Sequence, residues 1–334
     1  MDQRGIRPPL PGMDSLILAK NFTVDLNMIN KDYDIGFLLD LAAQAALSAG
    51  GAIMEVYGKT EIAVEKKSDD SPVTEADLRA NAVIFSTLER TGLPVLSEEG
   101  REIPFGERKH WKLFWLVDPL DGTREFIDRN GEFTVNIALV EAGMPVAGVV
   151  YIPVSDILYA GIAGVGAMRF EGASGIAGSF TVAAGQTSPH SGPAGDKPEK
   201  KVPLKGLPLP CVMKTGLDIA GSRSFMDERT LGFIREVVRK FPGSRMITRG
   251  GALKFCMVAE GSADIYPRFS NIREWDTAAG HAIILASGGK VVLASNTDMP
   301  LRYNKERTVN PWFIAFRDKA LLNPVSGLIP CCNS

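Results

Sequence analysis

The chain has 334 residues, with 37 Lys and Arg against 39 Asp and Glu, and a formal net charge of −2. Its apolar fraction of 45% is enough for one large or two medium domains. Near-neutral charge and dispersed basic residues argue against a nucleic-acid polymer as partner. The four cysteines have no paired metal-ligand spacing, so we expect a reduced, cytoplasmic protein.

Residues 1–33 read as an irregular N-terminal extension in which the first residues contain several prolines and lack the apolar core of a secretory signal. We expect no integral membrane segment, because no apolar run approaches the roughly 20 residues that a span requires. The sequence leaves open the oligomeric state and peripheral association with the inner face of a membrane.

A long packing helix is predicted over residues 35–57, where apolar residues recur at helical spacing between a candidate N-cap, Asp34, and a stop at Gly58. Gly50 and Gly51 in its middle indicate a kink or the close approach of another element.

Thr74 and Asp77 match a capping box at the start of a second predicted helix, over residues 75–89. A strand near Ile62 and Val64 precedes this helix. A short apolar run over residues 93–96 follows it.

Residues 114–117 form an apolar run typical of a buried strand, which Pro119 and Gly122 are expected to end where two acids begin. Asp118 and Asp121 are three residues apart around this bend, so their side chains can converge with the Leu120 carbonyl. A helix opening at Gly122 and Thr123 has free N–H groups suited to a phosphate. For each acid alone, a turn or N-cap role is the ordinary reading.

An antiparallel meander is predicted over residues 133–140, 145–152 and 157–162, because the breaks between these runs are short. Residues 171–208 lose apolar periodicity and read as a flexible surface excursion. The remaining chain alternates strands and helices. The predicted order is a strand near Val212, helix 227–241, strand 245–248, helix 252–260, strand 263–266 and helix 276–286.

Two further acidic segments accompany the bend. Ser97-Glu98-Glu99-Gly100 follows an apolar run upstream, and Glu274-Trp275-Asp276-Thr277-Ala278-Ala279-Gly280 lies far downstream. With Asp118-Pro119-Leu120-Asp121-Gly122-Thr123, this ordered trio resembles the motifs of the inositol monophosphatase family, which are lithium-sensitive, magnesium-dependent phosphatases. The resemblance runs from about residue 34 to 316 and is strongest to the bacterial 3′(2′),5′-bisphosphate nucleotidases.

The resemblance implies an α/β (α+β) layered sandwich of alternating helices and sheets, with the active site between two halves. We expect these halves at residues 34–170 and 209–320, with a tail at 321–334.

Four acids gathered in one pocket would repel one another unless cations compensate, and carboxylate and carbonyl oxygens favour Mg²⁺. We therefore expect two or three Mg²⁺ ions. Glu98, Asp118 and the Leu120 carbonyl are expected around one ion, and Asp118, Asp121 and Asp276 around another. Such ions activate water and stabilise a leaving alkoxide.

The family's catalytic pattern implies that Thr123 helps to remove a proton from the attacking water, with Glu98 nearby. By the same resemblance, Asp77 orients Thr123, and Asp69 is a second candidate for that role. Which of the two aspartates contributes more is left open.

Lys254 and Arg268 match positions where the family's nucleotide enzymes bind a second phosphate, although solvated surface charges are the usual role of such residues. The full set of expected substrate contacts is Glu98, Leu120, Asp121, Gly122, Thr123, Lys254, Arg268 and Asp276. Two positions depart from the nucleotidase pattern: Gly251 replaces a serine, and Phe225 stands where relatives often have histidine.

The expected activity is a phosphomonoesterase that removes the 3′-phosphate of adenosine 3′,5′-bisphosphate, or of 3′-phosphoadenosine 5′-phosphosulfate, in sulfate assimilation. Inositol phosphates or other sugar phosphates are alternative substrates. A non-catalytic sensor of metal or nucleotide is a rival from a different class. No nucleophile elbow, P-loop, zinc motif or dinucleotide fingerprint is present.

Overall fold

The computed structural model describes residues 33–66, 72–176, 200–204 and 216–330. Its helices are α1 (Ile35–Tyr57), α2 (Glu75–Leu88), α3 (Phe105–Arg108), α4 (Thr123–Ile127), α5 (Glu228–Lys240), α6 (Leu253–Glu260), α7 (Trp275–Ala286) and α8 (Leu322–Ser326). Its strands are β1 (Val64–Lys66), β2 (Pro72–Thr74), β3 (Val95–Ser97), β4 (Leu113–Asp121), β5 (Thr134–Glu141), β6 (Met144–Ile152), β7 (Ile157–Ile162), β8 (Gly166–Glu171), β9 (Lys200–Leu204), β10 (Asp218–Ser222), β11 (Arg245–Arg249), β12 (Ile265–Arg268), β13 (Lys290–Leu293) and β14 (Phe313–Phe316).

A seven-stranded sheet takes the strands in chain order from β3 to β9, and β1 pairs with β2 in a separate ribbon. β3 and β4 are parallel, and every later pair is antiparallel. The predicted meander of β5, β6 and β7 is therefore confirmed. Short turns allow β6 and β7 each to return beside the preceding strand without a crossover.

A five-stranded sheet has the order β11-β10-β12-β14-β13. β11, β10 and β12 are parallel, whereas β14 is antiparallel to both of its neighbours. This sheet belongs to the second half of the chain.

Helices and sheets alternate in layers, as predicted. α1 and α2 cover one face of the large sheet, α6 and α7 lie between the two sheets, and α5 and α8 cover the outer face of the smaller sheet. Each interlayer space has its own apolar core, with Trp115 in the first, Phe255 in the second and Phe233 in the third. Burial of these faces is the main favourable term in folding.

α7 packs closely against the large sheet and against α6 through small residues. A Cβ added at Gly280 would lie 2.4 Å from the Cβ of Phe255 in α6. A Cβ at Gly148 in β6 would lie 2.6 Å from the carbonyl oxygen of Ala279. The Ala-Ala-Gly part of the third motif is thus explained by close packing.

α1 begins and ends as predicted, and the Asp34 side chain accepts a hydrogen bond from the Phe37 N–H at 3.0 Å. Gly50 is a close-approach site, because a Cβ there would lie 2.2 Å from the Tyr151 ring, whereas Gly51 faces open space. Phe37, near the start of α1, is an apolar residue whose side chain is exposed.

In length and composition α1 also qualifies as a membrane span, so the expectation that no apolar run reaches that length is wrong for this helix. Of its most apolar window, 61% is buried inside the protein. Its apolar composition is therefore explained by its position in the core.

Three predictions about secondary structure need correction. β4 continues through the acidic bend to Asp121, residues 200–204 of the predicted excursion form β9 beside β8, and the tail contains α8 with a buried Val325. β13 and β14 were not predicted. The strand expected near Val212 lies outside the described residues.

Candidate active site

The acidic bend is a bulge within β4. Asp118 pairs with Asn136 and Asp121 with Thr134, so the register shifts between the two acids. Pro119 has no N–H to donate to the ladder, which makes an irregular position suitable for it. The Leu120 N–H donates to Oδ1 of Asp118 at 3.1 Å, which holds the bend closed.

Three acids meet at this bend. Glu98 follows β3, Asp118 lies on β4 and Asp276 is in the first turn of α7. One carboxylate oxygen from each lies within 4.8 Å of the others. Parallel pairing of β3 with β4 brings Glu98 beside the bend, where its N–H donates to the Val117 carbonyl at 3.1 Å.

The electrostatics of this cluster favour bound cations. Burial raises the pKa of Asp118 well above its usual value, and Glu98, Asp121 and Asp276 raise it further. Burial likewise raises the pKa of Asp276, with Asp121 and Glu98 contributing. Closely spaced, buried carboxylate oxygens are suitable ligands for a divalent cation such as Mg²⁺.

Asp121 is held by polar residues of β5. Nδ2 of Asn136 donates to Oδ2 of Asp121 at 3.1 Å, and the Thr134 hydroxyl donates to Oδ1 of Asn136 at 2.9 Å. Burial raises the pKa of Asp121 to about 6, against the opposing effects of Lys254 and the Asn136 hydrogen bond. Sequence reasoning missed Thr134 and Asn136, although two polar residues alternate there within an apolar strand.

Thr123 and Asp77 are in contact, as the family pattern implied. The Thr123 hydroxyl lies 3.3 Å from Oδ1 of Asp77 and 3.4 Å from the Leu120 carbonyl oxygen. Oδ2 of Asp77 accepts from the N–H and hydroxyl of Thr74, both at 2.7 Å, which completes the predicted capping box. One oxygen of Asp77 therefore contacts Thr123, and the other caps the start of α2. Asp69 lies outside the described residues.

The helix expected after the bend is short. α4 has five residues and begins after Gly122, whose φ of +94° is in the region that favours glycine. Gly122 and Thr123 line the same cavity as the acids. The predicted phosphate seat therefore rests on a few N–H groups at one helical turn rather than on a long helix dipole.

Lys254 and Arg268 are not the solvated surface charges of the ordinary reading. Their exposed fractions are 5% and 8%. Nζ of Lys254 donates to the Gly251 carbonyl at 2.6 Å, and Nη1 of Arg268 donates to the Phe225 carbonyl at 3.0 Å. Burial lowers the pKa of Lys254 to about 8, against the raising effect of Asp121.

Two buried donors near these cations lack a partner among the described residues, namely the Tyr266 hydroxyl and Nε of Arg268. Acids and cations line one cavity of about 610 Å³. We call its Glu98, Asp118, Asp121 and Asp276 side the acidic wall, and its Lys254 and Arg268 side the cationic wall. A second cavity, of about 440 Å³, shares none of their residues.

Backbone packing at the rim of the cavity explains why Gly251 departs from the nucleotidase pattern. A Cβ at Gly251, where φ is +45°, would lie 3.2 Å from the carbonyl oxygens of Asp121 and Glu132. The neighbouring Gly250 N–H donates to Oε2 of Glu132 at 2.8 Å. A side chain at position 251 would meet two backbone carbonyls in a conformation that favours glycine, which explains why serine of the expected pattern is absent here. Arg223, which donates to both oxygens of Glu132 at 2.7 Å, was not predicted.

Phe225 is half-exposed at the cavity, and Cζ of Arg124 lies 4.6 Å from its ring centroid. This geometry is typical of a cation–π contact. Phe225 therefore places an aromatic ring at the cavity, at the position where related nucleotidases often have histidine.

The alternating layers and the acidic pocket between the two sheets define an α/β protein of the layered sugar-phosphatase type. The family model described as the inositol monophosphatase family matches residues 37–315. The chain belongs to the inositol monophosphatase family.

Two curated relatives are bacterial. The chain is 39% identical over 283 residues to the 3′(2′),5′-bisphosphate nucleotidase CysQ of Escherichia coli strain K12, covering 83% of this chain and 98% of that protein. It is 41% identical over 259 residues to CysQ of Salmonella typhimurium, covering 76% and 89%.

Solved structures agree in fold. The crystal structure of CysQ from Bacteroides thetaiotaomicron has a TM-score of 0.69 at 39% identity, covering 84% of this chain and 97% of that one. An inositol monophosphatase from Anabaena has a TM-score of 0.60 at 23% identity, which supports the fold alone.

Proposed function

We propose that the protein is a magnesium-dependent 3′(2′),5′-bisphosphate nucleotidase, a phosphoric monoester hydrolase that removes the 3′-phosphate of adenosine 3′,5′-bisphosphate. The observation that carries this proposal is the single cavity that the acidic wall and the cationic wall line together. A substrate with two phosphates can place one phosphate at the metal ions proposed for the acidic wall and the other at the cationic wall. Identity of about 40% to nucleotidases named CysQ supports the same substrate class. 3′-Phosphoadenosine 5′-phosphosulfate fits the same description, and either nucleotide links the activity to sulfate assimilation.

The acidic wall is the proposed metal site. Glu98, Asp118 and the Leu120 carbonyl are assigned to one Mg²⁺, and Asp118, Asp121 and Asp276 to a second. When bound, such ions polarise the phosphate ester, lower the pKa of water and balance charge on the leaving oxygen. A third ion and inhibition by lithium remain part of the proposal.

Thr123 and Asp77 are the proposed proton-transfer pair. The 3.3 Å contact between the Thr123 hydroxyl and Asp77 orients that hydroxyl at the cavity wall, where it can take part in removing the proton of the attacking water. Oδ2 of Asp77 is fixed by the capping box, so the carboxylate keeps its orientation. Glu98 is the proposed neighbouring acid, and Asp69 stays a candidate.

The remaining polar groups bind and orient the substrate in this proposal. N–H groups at Gly122 and Thr123 contact the scissile phosphate, and Lys254 and Arg268 bind the second phosphate. Arg donates in a planar fork that suits phosphate oxygens, and a buried lysine regains its full charge beside an anion. Binding of the second phosphate holds the ester in place for attack.

A panel of four substrates tests this function with Mg²⁺ present. Adenosine 3′,5′-bisphosphate is compared with adenosine 3′-monophosphate, inositol 1-phosphate and fructose 1,6-bisphosphate. We expect kcat/KM to be at least about tenfold higher for the bisphosphate than for the 3′-monophosphate, since one charged hydrogen bond contributes about 1.5–3 kcal/mol. A preference for inositol 1-phosphate would refute the nucleotidase assignment. Binding without turnover of any substrate would indicate a sensor.

The proposed setting is the cytoplasm. Cys256 is buried in the core with a free thiol, which supports a reducing environment. The other three cysteines lie outside the described residues.

A further inference from the structure

A buried polar network lies behind the N-terminus of α7, two residues before Asp276. Glu274 has no exposed surface. Its carboxylate accepts hydrogen bonds from the N–H groups of Asn304 at 2.7 Å and Lys305 at 3.0 Å, and Nζ of Lys305 forms an ion pair with it. A buried carboxylate with three donors is strongly fixed in position.

Lys305 extends this network around the start of α7. Its Nζ also donates to the Arg302 carbonyl at 2.7 Å and to Oδ1 of Asn310 at 2.9 Å. Nδ2 of Asn310 in turn donates to the Arg273 carbonyl at 3.1 Å and to the Thr277 hydroxyl at 2.8 Å. The backbone before Asp276 and the side chain after it are therefore both attached to Lys305.

Arg108 connects the network to the other half of the fold. It lies in the same connection between β3 and β4 as Glu98 and is almost fully buried. Its guanidinium donates to Oδ1 of Asn304 at 2.8 Å and to the Lys305 carbonyl at 2.6 Å, while Nδ2 of Asn304 donates to the Arg108 carbonyl at 2.8 Å. Asn304 has a φ of 62°, a conformation that these contacts stabilise.

The network joins two parts of the acidic site that repulsion between their carboxylates tends to separate. Glu98 and Asp118 belong to elements of the large sheet, whereas Asp276 belongs to α7, and all three approach within 4.8 Å. Before a cation binds, repulsion favours their separation. Other contacts must resist this repulsion for α7 to stay in place. Among the described residues, the contacts of Arg108, Lys305 and Glu274 join the start of α7 to the connection between β3 and β4.

We infer that Arg108, Lys305 and Glu274 are positioning residues that set the distance between Asp276 and the Glu98–Asp118 pair, and thereby the affinity for divalent cations. This inference rests on the proposed metal site. It does not depend on which phosphate ester is hydrolysed. The expected mechanism is preorganisation, in which groups outside the ligands keep the ligands in place.

The test measures cation binding without substrate. Mg²⁺ binding is followed by calorimetry, and Mn²⁺ binding by electron paramagnetic resonance, in the native protein and in Lys305→Met. Loss of a partner that orients a metal ligand typically lowers affinity about 10- to 100-fold, and we expect a decrease in that range. An affinity within about twofold of the native value in a folded Lys305→Met protein would overturn the inference.

A matched control is the Arg317–Asp264 ion pair, which is more fully buried than the Lys305–Glu274 pair and has an N–O distance of 2.8 Å. Asp264 precedes β12, whereas Arg268 at the cavity ends that strand. Arg317→Met is expected to lower the Tm, as Lys305→Met does, while leaving cation affinity unchanged. Equal losses of cation affinity in both variants would show a general effect of stability and would refute the positioning role.

Glu274→Gln and the double variant Glu274→Gln/Lys305→Met decide the question if Lys305→Met does not fold. The double variant leaves no unpaired charge, so its Tm is expected to recover. Its Mg²⁺ affinity is expected to stay low, because residues 302–306 are no longer tied to α7 by the ion pair. Recovery of both the Tm and the Mg²⁺ affinity in the double variant would overturn the inference. A native protein that binds no divalent cation would refute the proposed metal site as well.

Discussion

The two walls of the cavity carry opposite charge and are built in different ways. The acidic wall combines side chains from the turn after β3, from β4 and from α7, and burial and mutual repulsion raise the pKa of Asp118 and Asp276. The cationic wall comes from α6 and β12, and its two side chains are tied to backbone carbonyls. Burial lowers the pKa of Lys254 to about 8.

The charged form of each wall is therefore unfavourable in free energy, and a bound ligand of opposite sign can offset this. For the acids that ligand is a cation, and for Lys254 and Arg268 it is an anion. The comparison indicates that turnover depends mainly on the acidic wall and substrate choice mainly on the cationic wall.

The largest expected effect follows from neutralising the acidic wall. Asp276→Asn and Asp121→Asn are each expected to lower kcat/KM by at least about 10³-fold, because metal-ion stabilisation supplies several kcal/mol to such reactions. Phosphate release measures activity, and thermal unfolding checks the fold. We expect Tm to be kept or raised, since one repelling charge is removed. Near-native activity in either variant would contradict the metal assignment.

A smaller effect is expected at the cationic wall. Lys254→Met is expected to raise the KM for adenosine 3′,5′-bisphosphate about 10- to 100-fold, because one charged hydrogen bond contributes about 1.5–3 kcal/mol. The KM for adenosine 3′-monophosphate is expected to change little. The exposed Arg245 provides a control as Arg245→Met. Equal changes in KM for both substrates would place Lys254 at the reacting phosphate instead.

The pH dependence of binding sharpens this prediction. Lys254 is mainly protonated below its pKa of about 8 and loses its charge as the pH rises through that value. The KM for the bisphosphate is therefore expected to rise above pH 8 in the native protein. Lys254→Arg, which stays charged, is expected to show no such rise. Parallel pH profiles for the two proteins would contradict the role of the lysine charge.

The smallest effect is expected at Asn136. Its hydrogen bond lowers the pKa of Asp121 within a site where burial raises it to about 6. Asn136→Ala is expected to raise that pKa, so that Mg²⁺ must displace a proton over a wider range of pH. We expect the Mg²⁺ concentration for half activation to rise about 3- to 10-fold at pH 6, and less at pH 8. A change that is equal at both pH values would contradict this cause.

The ordered trio of acidic motifs predicted the acidic wall, whose acids lie directly after β3, in the bulge of β4 and in the first turn of α7. Local patterns predicted the cap at Asp34, the capping box of Thr74 with Asp77, and the meander. Motif resemblance supplied Lys254 and Arg268, whose burial no local pattern indicated.

Long-range contacts could not be predicted in this way. Arg108 and Asn304 are distant in the chain, and neither lies in a recognised motif. The bulge in β4 depends on its pairing with β5, and β9 combines lysines with a proline, which resembles a loop until the strand is paired at a sheet edge.

The packing of α7 has a consequence for how such a protein can diversify. Gly148 and Gly280 leave no room for a side chain where α7 meets β6 and α6, so the spacing of α7 from the large sheet and from α6 is fixed. A larger residue there disturbs both halves at once. Changes at the rim, such as those at Phe225 and Gly251, leave that spacing alone. New substrate preferences can therefore accumulate at the mouth of the cavity while the hydrolytic centre is inherited intact.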